Sequence, residues 1–67
     1  MKKDVEKEVK RLHNLLDRME NGLYTGIKIG WITDRIAWLW KFRQIDYNTM
    51  SMLCMHATRA ISMIGAE

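Results

Sequence analysis

Ile29-Gly-Trp-Ile-Thr-Asp-Arg-Ile-Ala-Trp-Leu-Trp-Lys-Phe-Arg43 holds all three tryptophans and the only phenylalanine of the 67-residue chain. An aromatic side chain buries about 150–250 Å², so these residues are expected to supply much of the apolar area of so short a protein. Placed at about 100° per residue, Gly30, Thr33, Asp34, Ala37, Lys41 and Gln44 share one polar sector of a helix. The rest is mostly apolar and falls into two stripes. One is Trp31, Trp38, Phe42 and Ile45; the other is Ile29, Ile32, Ile36, Leu39 and Trp40. A surface helix shows one such stripe, so two imply burial against two neighbours, within a bundle or across a subunit interface. Arg35 and Arg43 lie inside the apolar arc. Their stems can cover tryptophan rings while the guanidinium reaches solvent or a carboxylate.

Upstream, Val5, Val9, Leu12, Leu16, Met19 and Leu23 recur at alternating spacings of four and three, the seam of an amphipathic helix over about 4–21. Asp4 is the expected N-cap, and Glu6 and Glu8 fall in the first turn, where carboxylates complement the helix dipole. Lys7, Lys10, Arg11, Asn14, Asp17 and Arg18 form the solvated face. Asn21-Gly22 suits a C-cap, because both residues tolerate the left-handed conformation. Leu23–Gly26 then connects to the second helix, expected over about 28–43, which starts between Thr25 and Gly30.

Downstream, Ile45-Asp46-Tyr47-Asn48-Thr49-Met50 reads as a turn into a third helix over about 47–64. Asp46 is the N-cap, with Ile45 and Met50 at the two positions of a hydrophobic staple. Met50, Leu53, Ala57, Ala60 or Ile61, and Ile64 keep helical spacing, and Gly65 ends the run. The small residues Ser51, Cys54, Ala57 and Ala60 offer a seat to a bulky neighbour, for which the tryptophans are the obvious candidates. Met52, Met55 and Met63 lie off this seam and suggest more apolar surface than one small core hides.

The fold class expected is therefore all-α: a three-helix bundle, or a helical hairpin plus an N-terminal amphipathic helix, forming one domain over 1–67. A domain this short buries only about 60% of its unfolded surface, which makes self-association or a partner an expectation. No proline interrupts the helices. A single cysteine, Cys54, with six methionines suits a reducing cytoplasm. The charged start lacks a signal peptide's apolar core, and Lys28, Asp34 and Arg35 interrupt the best membrane-span candidate.

Chemistry-bearing patterns are sparse. His13 and Asp17 share a helix face, yet one histidine and one carboxylate fall short of the three or four protein ligands of a zinc site. Cys54 and His56 point to different sides of a helix, and no cleft is evident in which a histidine would activate the thiol. Gly22, Gly26 and Gly30 lack the Lys-Ser/Thr ending of a phosphate loop. We therefore expect no catalytic residue, cofactor or metal site. The net charge of +3 is too small to imply nucleic acid on its own. A helix-turn-helix remains the alternative, with Lys41 and Arg43 on phosphates and Tyr47, Asn48 and Thr49 at the start of a recognition helix. Against it, Asp46 would face phosphate and the turn lacks glycine.

The segment 32–45, most distinctively Asp34-Arg35-Ile36, Trp38 and Trp40-Lys41-Phe42-Arg43, resembles short uncharacterised phage and mobile-element proteins of Gram-positive bacteria. That resemblance implies a setting and no activity: a small accessory protein that binds and modulates a host or defence protein. The residues point the same way, to a non-enzymatic interaction module in which Arg35, Trp38, Trp40, Phe42 and Arg43 carry the partner or subunit contact, since tryptophan and arginine dominate interface energetics.

Overall fold

The computed structural model describes residues 2–22 and 29–65. Three helices are present, α1 (Lys3–Glu20), α2 (Ile29–Lys41) and α3 (Tyr47–Gly65), and no strand occurs among the described residues. The third helix packs against both others. The chain is thus a small all-α bundle with α3 as its common wall.

The first helix follows its heptad-like seam. Leu12, Leu16 and Met19 are buried, and Val5 and Val9 pack at the margin of the same core. Leu23 lies outside the described residues. The N-cap differs from expectation: it is Lys2, whose side chain makes no capping bond, and Asp4 stands inside the first turn. Asp4 and Glu6 therefore act on the helix dipole rather than as a cap. Gly22, at φ 77°, closes α1 as foreseen, and its N–H donates to the Met19 carbonyl.

The second helix ends two residues earlier than its apolar pattern suggests. Arg43 adopts φ 56°, the only non-glycine residue with positive φ among those described. Its N–H donates to the Trp40 carbonyl at 3.0 Å, and the Gln44 N–H donates to the Leu39 carbonyl at 2.8 Å. These are the paired bonds of a Schellman motif. The reversal turns the chain so that Ile45, 4% exposed, drops into the core instead of continuing the Trp31–Trp38–Phe42 stripe. Asp46 then caps α3 as expected, its Oδ1 accepting the Thr49 N–H at 2.8 Å.

The core corrects a larger expectation. Among the described residues it comprises Leu12, Leu16, Met19, Ile32, Ile36, Leu39, Ile45, Leu53, Ala57 and Ala60, with no tryptophan or phenylalanine. Each large aliphatic chain contributes about 1.5–3 kcal/mol by leaving water. Of the two stripes on α2, the one with Ile32, Ile36 and Leu39 faces inward but leaves its last member, Trp40, outside, and the Trp31–Trp38–Phe42 stripe faces out. Trp31, Trp38, Trp40 and Phe42 are 51, 43, 43 and 53% exposed. On α3, Ala60 and not Ile61 takes the inner position.

Candidate functional site

Two surfaces are candidates for a functional site. The first is the outer face of α2 and its terminal turn. Trp38 and Phe42, one turn apart, have ring centroids 4.8 Å apart and planes tilted by 42°. The Arg35 guanidinium carbon lies 4.3 Å from the centre of the Trp38 ring, a cation–π contact. The Lys41 ammonium stands 6.0 Å from the Phe42 ring. Trp40 departs from this row and meets Tyr47 edge-on at 6.1 Å, across the α2–α3 turn.

Arg35 is held from behind. Its Nη2 donates to Glu8 Oε1 at 3.0 Å and its Nε to Oε2, so the pair is bidentate. Hydrogen bonding to Glu8 raises the Arg35 pKa above its ordinary value. One turn beyond the start of α1, where the sequence placed it in the helix-dipole region, Glu8 instead ties α1 to α2. Arg35 is thus committed to an intramolecular pair while its guanidinium covers one face of Trp38. Trp31, Trp38, Phe42 and Arg43 are exposed, as are Lys41, Tyr47 and Asn48. Thr49 is half-buried, with its backbone N–H engaged by Asp46.

Between α2 and α3 runs a groove of about 340 Å³, lined by Ile36, Trp40, Met50, Cys54, Ala57 and Ile61 among others. The small residues of α3 thus do leave room beside α2, but of the three tryptophans Trp40 alone lines it. Beyond it Met52, Met55, Ile61 and Met63 are 54, 62, 47 and 52% exposed, so the off-seam methionines face outward as their spacing implies.

The second surface is polar and lies where α1 meets α3. His13 and His56, far apart in sequence, stack with ring centroids 5.0 Å apart, and their Nδ1 atoms are 2.7 Å apart. That distance requires one proton shared between two nitrogens. Burial, reinforced by His56 and opposed by Asp17, lowers the His13 pKa below its ordinary value of 6.5, which favours the neutral ring. The Nε2 of His56 lies 2.9 Å from Asp17 Oδ1 and 3.4 Å from Glu20 Oε1. The Glu20 oxygen is also 3.4 Å from Arg59 Nε.

Asp17 was read as part of a solvated face, and His56 only against Cys54. The first reading holds, since the Asp17 side chain is 60% exposed; the second changes. His56 is 5% exposed, inside the α1–α3 contact. The signal was available: His56 stands three residues after Leu53 and one before Ala57, on the inward face of α3. Its partner could not be read, because spacing gives a helix face but not the face opposite. Cys54 is exposed, and its thiol donates to the Met50 sulfur, 3.6 Å away. No protein-family model, curated protein or solved structure matches the chain.

Proposed function

We propose that the chain is a non-enzymatic protein–protein interaction module whose contact surface is the outer face of α2 and the turn that follows it. The observation that carries this reading is the exposure of Trp31, Trp38, Trp40 and Phe42, each 43–53%, on a helix whose inner face is already filled by aliphatic residues. Large exposed aromatic patches on small domains are covered by a partner or a second copy, and buried tryptophans anchor such interfaces. Arg43 and Lys41 rim the patch, and Arg35 holds Trp38 in place for contact. Self-association is the first form of the proposal, in a cytoplasmic setting; modulation of a host or defence protein by a small phage-type accessory is the second.

The helix-turn-helix alternative is disfavoured by Asp46. Its carboxylate caps α3, and the hydrogen bonds from Thr49 lower its pKa below the ordinary 3.8, so a negative charge stands where a recognition helix would approach phosphate. The four exposed polar residues at the turn, Lys41, Arg43, Tyr47 and Asn48, then serve as rim.

Sedimentation velocity over a wide concentration range, with an apolar dye-binding assay, tests the proposal. We expect either concentration-dependent association or a monomer that binds the dye. A monomer at all concentrations that binds no dye would overturn it. Retardation of duplex DNA at low salt, lost steeply as salt rises, would instead favour the alternative.

A further inference from the structure

We propose that Asp17, Glu20 and His56 form a binding site for a first-row divalent cation, with zinc its natural probe, that ties the C-terminal half of α1 to the middle of α3. The inference is independent of the interaction module above and rests on a different part of the molecule.

Asp17 and Glu20, three residues apart, project from the same face of α1, and His56 reaches them from α3. Their ligand atoms lie within 4.8 Å of one another. Ligands held tetrahedrally at about 2.0–2.1 Å from zinc stand about 3.3 Å apart, and His56 Nε2 lies 2.9 and 3.4 Å from the two carboxylates. One imidazole with two carboxylates makes three protein ligands and leaves a fourth position for water or a partner's side chain.

The independent sign of a ligand is the state of His56. The residue is 5% exposed, yet its Nε2 has no hydrogen-bond partner, and neither does the buried Glu20 Oε1 facing it. A buried nitrogen and a buried oxygen 3.4 Å apart, each with charged neighbours but no hydrogen bond of its own, are costly unless one further group binds both. Asp17 Oδ1 is close to Nε2 without forming a hydrogen bond to it, which is how two ligands of one ion sit. His13 completes the arrangement from the other side. When His56 Nδ1–H donates to the His13 Nδ1, 2.7 Å away, the His56 Nε2 lone pair is left pointing at the carboxylates. A ligating histidine steadied through its other nitrogen is the usual outer support of a metal site. Arg59 is the competing cation: its Nε is 3.4 Å from Glu20 Oε1, but its side chain is 70% exposed and free to swing into solvent.

The test is titration of the untagged, chelator-stripped chain with zinc chloride, followed by calorimetry and by the thermal midpoint, with cobalt(II) absorption reporting coordination geometry. We expect one equivalent to bind and raise the midpoint, because the ion bridges two helices only in the folded chain. Asp17→Asn and Glu20→Gln, both at positions that keep their volume, should weaken binding on the order of tenfold or more. Arg59→Gln should tighten it, and His13→Gln should retain a single equivalent. Circular dichroism of each metal-free variant verifies that it is folded. Absence of saturable one-to-one binding at millimolar zinc, or binding unchanged by both carboxylate variants, would overturn the proposal. So would loss of binding in His13→Gln with Glu20→Gln unaffected, which would place the ion on the His13–Asp17 pair of α1 alone.

Discussion

Arg43 pays a conformational cost that glycine would not. At φ 56° its Cβ crowds the backbone, and the Schellman bonds to Trp40 and Leu39 hold it there. Arg43→Gly should therefore raise the stability of the chain by up to about 1 kcal/mol. Urea denaturation with an unchanged m-value checks this. An arginine kept in a glycine position fits a side chain wanted at the rim of the aromatic face, so the same variant should weaken association. Asp46 is the other residue whose local chemistry has a readable consequence. Its folded pKa lies below the unfolded 3.8 because the charged form accepts hydrogen bonds from the Thr49 side chain and from the Thr49 backbone N–H. Its contribution is thus complete above about pH 3.8 and fades as pH falls through the lower folded value. Asp46→Asn preserves a capping side chain but should flatten that part of the acid-unfolding profile. Asp46 was legible as a cap from the apolar residues around it; the left-handed arginine was not, since Phe42-Arg43-Gln44 holds no glycine or asparagine to mark the position.

At the scale of the elements, the seam of α1 was plain because its apolar residues fall on one face, and Leu12, Leu16 and Met19 fill it. The start of α1 was harder. Lys2 occupies the cap without an accepting side chain, while Asp4 and Glu6 make the first turn favourable by charge. Lys2→Ser should stabilise the helix by about 0.5–1 kcal/mol, measured as a higher thermal midpoint. In α2 the sequence shows two stripes, and periodicity alone does not choose between them. The physical choice is visible in the packing. Ile32, Ile36 and Leu39 carry no polar atom, whereas each indole N–H needs a partner that this small core does not supply. Leu53→Ala, at a fully buried position of α3, should cost about 2–5 kcal/mol. Trp38→Ala should cost the folded monomer far less, since the ring is 43% exposed, and should act on association instead. Comparing the two variants by denaturation and by sedimentation separates core from contact surface.

For the molecule as a whole, α3 is the wall on which α1 and α2 are assembled, and the two surfaces of interest are consequences of that order. The α1–α3 contact brings His13, Asp17 and Glu20 to the buried His56, with Asp17 at its exposed rim; the far side of α2 carries the aromatic row, with Glu8 and Arg35 linking α1 to it. The all-α class and the three helix positions followed from apolar spacing. The pairing of Glu8 with Arg35 and of His13 with His56 did not, because such contacts depend on how the helices are set against one another. The central claim is that an aliphatic core leaves the tryptophans on the surface for a partner. Its most direct test is acrylamide quenching of tryptophan emission at the lowest concentration, where sedimentation gives the folded monomer. We predict readily quenched, red-shifted emission close to that of the unfolded chain, becoming shielded and blue-shifted on association. Emission that is blue-shifted and protected in the folded monomer itself would contradict the account, because the tryptophans would then be core.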